Sequence, residues 1–248
     1  MTLPTLAILI TFWLLVGLSV RASKGWQQLS QKPRADWVLD LCGLVMQGVV
    51  IPALQVGLLY QGLHAIVPWA AHRFALPSGV GFFICLVVVD YGYYWNHRWL
   101  HGQGWLLHRV HHTVTQLDVL GTSRNTLWAS FFILYLWVHT LMLYLLEEPS
   151  GYGWGISLTA MLDLWRHSPL GPQPRGWLYR CLSPWLVLPQ DHAQHHACQE
   201  AGCNFGANFK IWDHLHGTTQ SCPEFPKAIG IRTPLNLWQK LFYPIQTP

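Results

Sequence analysis

The chain reads as an all-α, polytopic membrane protein. Hydrophobic residues make up 51% of its 248 positions and charged residues only 10%, against roughly 25% charged in an ordinary soluble domain. The apolar residues fall in long uncharged blocks of the length that faces lipid, not in the alternating pattern of strands. The lysines and arginines also segregate between the blocks in the way that membrane topology demands.

Five blocks are expected to span, taken in order. Residues 3–20 form the first, kept as a mature span because no Lys or Arg precedes it and no small-residue cleavage site follows. The second covers 37–60, with a tail toward Trp69, and tolerates Pro52 as membrane helices do. The third runs over 80–95. The fourth, 127–146, is separated from the fifth, 151–165, by Glu147, Glu148, Pro149 and Ser150, which predicts a tight helical hairpin. About four to five transmembrane helices then carry a cytoplasmic helical cap made of 96–126 and 166–248, all within a single domain, 1–248. With the N-terminus outside, the inside segments 21–36, 96–126 and 166–248 hold 4, 3 and 7 of the 15 basic residues, and Arg73 alone falls outside.

The net charge of +4 is scattered without a basic run, which argues against a nucleic-acid partner. The six cysteines form no CxxC pair and no CxxCH haem site, so reduced thiols are expected. Histidine is the unusual residue. There are 14, and nine fall in three clusters plus one isolated position. His97 and His101 form an i, i+4 pair on one helix face, about 6 Å apart at their Cβ atoms. His108, His111 and His112 share the pattern H-x-x-H-H with His192, His195 and His196, some 80 residues later. On one uninterrupted helix His97 to His112 would stretch over roughly 22 Å, too far for one metal centre. The chain must fold back, and Gly102-Gln103-Gly104 supplies the break. His167 joins the clusters from the end of the fifth span. Nine imidazoles exceed the three or four that one zinc ion takes, which points to two metals.

Other polar residues are assigned by the same reasoning. Asp163 lies on the same helix face as His167, at a depth where an acid needs a partner or a metal. Asp90 precedes His97 on the same helix and is placed to accept an imidazole N–H. His139 is expected to be a hydrogen-bonded packing residue. His64 and His72 fall on the far side and take no role, and His214 and His216 are expected to be structural. Cys198 and Cys203 are expected to be buried thiols in preference to a zinc clip. Arg98 and Arg109 suit an anionic headgroup, a redox partner or snorkelling to the interface.

With these residues in hand, the stretch from Asp90 to Thr218 resembles the fatty acid hydroxylase / sterol desaturase superfamily of integral-membrane di-iron enzymes. The resemblance is carried by Asp90-Tyr91-Gly92-Tyr93-Tyr94-Trp95-Asn96-His97-Arg98-Trp99-Leu100-His101, by His108-Arg109-Val110-His111-His112, by His167-Ser168 and by Pro189 through His196. Asn204-Phe205-Gly206 and Trp212-Asp213-His214-Leu215-His216-Gly217-Thr218 complete it. Asp163, Pro169, Gly202 and His216 depart from the family's usual residues. The resemblance implies oxygen-dependent attack on an unactivated C–H bond of a lipid. The implied cofactors are two iron ions, which zinc can replace on overexpression, and the implied ligands are His97, His101, His108, His111, His112, His167, His192, His195 and His196. Asp90 and Asp163 are the expected catalytic carboxylates. A membrane lipid is the implied substrate, and a separate ferredoxin or b-type cytochrome the implied electron donor. A bacterial inner membrane is preferred to endoplasmic reticulum. A desaturase or carotenoid-type hydroxylase on the same scaffold is the neighbouring alternative. A non-catalytic haem or metal carrier is the alternative from another class, and it predicts ligand pairs facing each other across spans.

Overall fold

The computed structural model describes residues 2–22, 25–198 and 202–245. Among them every regular element is helical, and the only β features are two isolated bridges, Phe74 with Leu146 and Leu186 with Phe209. In chain order the elements are α1 (Leu3–Arg21), α2 (Gly25–Ser30), α3 (Arg34–Ile66), α4 (Ser78–His101), α5 (Trp105–His108), α6 (Leu134–Leu145), α7 (Ser150–Arg166), α8 (Trp177–Leu182), α9 (Pro189–Ala197), α10 (Ile211–Leu215) and α11 (Leu237–Phe242). Among the described residues three helices, α1, α3 and α4, are long and apolar enough to cross a membrane. At 1.5 Å per residue the 19 residues of α1 extend about 28 Å, close to the hydrocarbon thickness. Their outer faces are exposed and apolar, with Leu14, Leu18, Val49, Leu58 and Val88 turned outward.

Against the four to five spans expected, three helices of that length and composition are present among the described residues, with α6 a shorter apolar helix. The run 127–146 is not one helix. Its first part turns tightly, with a 3₁₀ segment at Ala129–Phe132, because Leu127 N–H is drawn to Leu241 O (3.0 Å) and Asn96 fastens both Phe132 O and Leu134 N. That leaves α6 with only 12 residues, about 18 Å. The fifth block forms α7, whose Ser157, Thr159 and Arg166 are buried inside the protein against α1 and α4. The tight hairpin between α6 and α7 is present. The long helices carry π-helical turns at Met46–Val50, Gln55–Tyr60 and Ile84–Val89. Two polar side chains of α3 are satisfied from α6 and its approach: Gln47 donates to Ser130 Oγ (2.8 Å) and Gln55 to Leu136 O (3.2 Å).

The chain breaks at Gly102–Gly104, where Gly102 N–H bonds back to Arg98 and Trp99, and α5 follows. α5 is a single turn, continued by a 3₁₀ turn over His111–Thr113. The end of α4, this pair of turns, the end of α7 and α9 converge on one place.

Candidate metal centre

Two groups of imidazoles meet there. His97, His101, His108, His112 and His195 form one, His111, His167, His192 and His196 the other, and within each group the ligand nitrogens lie within 4.8 Å of one another. Each group can hold a metal ion. The two H-x-x-H-H segments are cross-wired. In the first, the i, i+4 pair His108 and His112 serves one group and His111 the other. In the second, His192 and His196 serve the group of His111, and His195 serves that of His108. Neighbouring residues on a helix point about 100° apart, so each His-His doublet sends one ring to each group. The doublets bring the groups together: the rings of His112 and His196 are 4.6 Å apart between centroids, and those of His108 and His111 5.0 Å.

Backbone carbonyls fix which nitrogen faces inward. Nδ1 of His97 lies 2.8 Å from Phe205 O, that of His195 2.6 Å from Cys203 O, that of His111 3.1 Å from Arg124 O, and that of His167 2.9 Å from Asp163 O. A carbonyl oxygen only accepts, so each Nδ1 carries the proton and each Nε2 presents a lone pair to the interior. The inward nitrogens then face one another: His167 and His111 Nε2 at 3.4 Å, His192 and His167 at 2.9 Å, His97 and His108 at 3.1 Å, His101 and His195 at 3.2 Å. His111 and His167 both have Nδ1 engaged, so no proton is available between their Nε2 atoms, and two buried lone pairs at that distance repel. A cation between them removes the conflict. Nitrogens about 2.1 Å from a common metal, at angles of 90–109°, are separated by about 3.0–3.4 Å, which is the spacing seen. The donor set fits a pair of nitrogen-preferring metal ions.

Burial supports the same chemistry. All of these rings are buried except that of His101, which is half-buried. Burial, with repulsion between neighbouring rings, holds His108, His112, His192 and His196 well below the usual histidine value. Burial pushes His195 down to about 4, with Cys203 O pulling the other way. Neutral imidazole is the form that ligates.

The two carboxylates differ in their surroundings. Asp90, expected beside an imidazole, is fully buried but touches none. It accepts from Asn208 N (2.8 Å), Phe209 N (3.2 Å) and Trp212 Nε1 (2.7 Å), tying the segment before α10 to α4. Asp163 is outside both ligand groups. Its carboxylate is 40% exposed, pairs with Arg166 (2.8 Å) and lies 3.5 Å from His167 Nδ1, whose nearer partner is the Asp163 backbone carbonyl. The residue that sequence reasoning left without a role is Asp213. It accepts from Phe205 N (2.7 Å), Gly206 N (2.8 Å) and Thr218 Oγ1 (2.7 Å), and so holds the loop whose Cys203 and Phe205 carbonyls orient His195 and His97. Asn204, in a left-handed conformation (φ 50°), pins the same loop through Asp191 O and Gln220. The only sign of this in the sequence was the pair of signatures around Asn204 and Asp213.

The remaining expectations divide. His139 packs as expected, with Nδ1 3.0 Å from Tyr152 Oη and its ring stacked on Tyr135. His216 lies among Tyr91, Tyr94 and Trp95, and His72 bonds Tyr60 and Leu146 O, both structural. Arg98 lies over the Tyr94, Trp95 and Phe205 rings. Cys198 and Cys203 are neither free thiols nor a zinc clip. They form a disulfide, because the return of the chain after α9 brings their Cα atoms to 6.1 Å.

A family model described as fatty acid hydroxylase matches residues 82–218. Alkylglycerol monooxygenase of Danio rerio is 29% identical over 190 residues, covering 70% of this chain and 39% of that protein. Ornithine lipid hydroxylase OlsE of Rhizobium tropici is 32% identical over 143 residues, covering 56% of this chain and 41% of its own. Alkylglycerol monooxygenase of Homo sapiens is 27% identical over 186 residues, 70% of this chain and 38% of that one. The chain spans about two fifths of the length of these relatives. No solved structure matches it.

Proposed function

We propose, from the premise that this chain belongs to the fatty acid hydroxylase family, that it is an integral-membrane di-iron monooxygenase that hydroxylates an unactivated C–H bond of a lipid. The observation that carries this reading is the inward convergence of nine Nε2-presenting or neutral imidazoles in two adjoining groups. His97, His101, His108, His112 and His195 are the proposed ligands of one iron, and His111, His167, His192 and His196 those of the other. The chemistry the metal pair supplies when bound is reduction of dioxygen with two electrons, one oxygen atom entering the C–H bond and the other leaving as water. The histidines would hold the metals without carboxylate charge, and the carbonyls of Cys203, Phe205, Arg124 and Asp163 keep the rings of His195, His97, His111 and His167 in the ligating tautomer. Ring burial excludes water from the reacting space. A lipid is the substrate named in the relatives, an alkylglycerol in one and an ornithine lipid in another. Exposed apolar faces on α1, α3 and α4 fit delivery from the bilayer. Electrons come from a separate ferredoxin or b-type cytochrome, and a bacterial inner membrane is the proposed location.

Metal analysis of the purified protein tests the centre, with close to two irons per chain expected. His111→Ala and His195→Ala each remove a ligand from a different group and should abolish oxygen-dependent hydroxylated product while membrane insertion persists. Turnover retained in both variants, or a haem absorption band in place of non-haem iron, overturns the assignment.

A further inference from the structure

The flank of the cap that packs on α4 turns apolar side chains outward at a depth where water is absent. α4 begins at Ser78, beside Ser150 at the α6–α7 hairpin (3.4 Å between hydroxyls), and ends at the imidazole groups. Counting 13 and 17 residues from Ser78 at 1.5 Å each puts Tyr91 and Trp95 about 20 and 26 Å along the helix, inside a hydrocarbon layer of about 30 Å. α10 is fixed at that level. Trp212 gives its Nε1–H to Asp90 (2.7 Å) and its ring meets Tyr91 (4.7 Å between centroids), while the His216 ring lies 4.8 Å from that of Trp95. Residues 185–187 run beside 208–210, with Lys210 N donating to Trp185 O (2.9 Å) and Val187 N to Asn208 O (3.0 Å). The N–H groups of Asn208 and Phe209 are themselves held by Asp90 of α4. Trp185 is therefore carried to the same depth, and α8 joins it through Leu182 O.

The outward side chains of these elements are Trp177, 76% exposed, Leu178, Trp185, Ile211 and Leu215, 66% exposed, and on α4 Trp95 is exposed as well. Single exposed apolar residues are ordinary, but a group of them on adjoining segments marks a contact. Acid is missing from this face: residues 173–188 contain none, and 204–217 only Asp213, which is fully buried. Cations frame it. Arg175 and Arg180 are exposed around Trp177, and Arg98 lies over the Trp95 ring. Among the described residues none of the three pairs with a carboxylate. Tryptophan and arginine without acid is the composition of the headgroup boundary, where an indole rests on acyl chains and a guanidinium reaches phosphate. A second copy of the chain seated on the same face would set arginine against arginine. A water-borne partner cannot reach a surface at the depth of Tyr91 and Trp95.

We propose that α8, residues 185–187 and α10 lie in the leaflet on the metal side as an interfacial collar, with their apolar side chains among the acyl chains and Arg175 and Arg180 at lipid phosphates. The proposal goes beyond the hydroxylase reading and rests only on α4 crossing the bilayer. Nitroxide labels test it in the full-length protein, in vesicles of phosphatidylcholine and phosphatidylglycerol. Each label is read by its collisions with oxygen, which enters lipid, and with a polar nickel chelate, which stays in water. Cys42 and Cys222 are replaced by serine and Cys85 is buried, so Cys181 on α8 carries the label with no substitution in the patch. Trp185→Cys and Leu215→Cys, each combined with Cys181→Ser, report on the other two segments. In that background Val88→Cys, on the outer face of α4, is the lipid reference and Lys227→Cys, exposed on the tail, the water reference. The oxygen-to-nickel collision ratio at positions 181, 185 and 215 should exceed that of Lys227→Cys about tenfold. That factor equals about 1.4 kcal/mol, the low end of what a polar group loses on leaving water. Ratios equal to that of Lys227→Cys, with Val88→Cys reading as lipid, overturn the proposal and leave the span standing. Labels shielded from both probes, with dipolar broadening between chains, show that a second copy covers the face and overturn it too. A Val88→Cys ratio equal to that of Lys227→Cys removes the span itself and the proposal with it. Cys181 decides the outcome where Trp185→Cys or Leu215→Cys fails to fold.

Discussion

Replacing Asp213 by asparagine tests how the imidazoles are held in place. The Asp213 carboxylate receives three hydrogen bonds, from Phe205 N, Gly206 N and Thr218 Oγ1, at 2.7–2.8 Å. Asparagine keeps the shape but turns one acceptor oxygen into an NH₂ that faces a backbone N–H. One charge-assisted bond, worth about 1.5–3 kcal/mol, is lost, and a buried N–H is left unsatisfied at a further cost of about 1–3 kcal/mol. A net loss of about 2.5–6 kcal/mol is a large part of the 5–15 kcal/mol that typically stabilises a fold. Part of it falls on the carbonyls of Phe205 and Cys203, which orient His97 and His195. Disturbing such outer partners of metal ligands typically lowers metal affinity about 10–100-fold. Iron retention under chelator competition, with thermal unfolding of the same sample, measures both effects. Asp90→Asn is the comparison: it also loses a buried acceptor of three donors, but those donors are Asn208, Phe209 and Trp212, which touch no imidazole. It should lower the unfolding temperature and change iron retention less than Asp213→Asn. Unchanged iron retention and stability in Asp213→Asn, or greater loss of iron in Asp90→Asn, refutes the role given to Asp213.

Two further outcomes follow from the same geometry. Burial holds His195 down to about 4 in the folded state, whereas the unfolded chain takes up that proton near 6.5. Stability of metal-free protein is therefore complete above about pH 6.5 and falls as the pH drops toward 4, by up to about 1.4 kcal/mol per pH unit from this residue. Thermal unfolding of stripped protein from pH 7.5 to 5 should show a falling midpoint, and a flat profile would contradict the burial of neutral rings. Gly230 (φ +81°) donates to His196 O (3.1 Å) while Ile231 donates to His112 O (2.7 Å). A Cβ there would lie 2.2 Å from Val114 O. Gly230→Ala should therefore destabilise by at least about 1 kcal/mol, read as a lower denaturation midpoint, and an unchanged midpoint would show that the tail does not bear on the ligand segments.

Much of the centre is legible in sequence because its ligands obey helical spacing. His97 and His101, and each H-x-x-H-H segment, are local patterns, and Gly102–Gly104 announces the reversal between them. What could not be read locally is what the carboxylates do. Asp90 sits seven residues before His97, about 10 Å along a helix, so its partners are found instead 118–122 residues away at Asn208, Phe209 and Trp212. The pairing of Cys198 with Cys203 likewise depends on where the chain returns after α9. The helix expected over 127–146 starts only at Leu134 for a related reason: hydropathy sees the apolar run, but not that Leu127 is captured by Leu241, 114 residues on.

The doublets carry the deeper constraint. A single H-x-x-H-H segment on a helix offers one i, i+4 pair to one metal and must turn its third imidazole about 100° away. Alone, that third ring has no partner. Two such segments packed against each other solve this reciprocally, because His111 completes the set around His192 and His196 while His195 completes the set around His108 and His112. Neither group is filled by local sequence, and each needs a ring from the other segment. A variant that disturbs one doublet therefore reaches both groups: His112 and His196, the buried pair whose Nδ1 atoms have no partner, lie 4.6 Å apart across the join. Loading of the two groups is expected to be coupled for that reason, so that His196→Ala lowers metal content by more than one ion per chain. Loss of a single ion, with the other held as in the unmodified protein, would show instead that the two groups load independently.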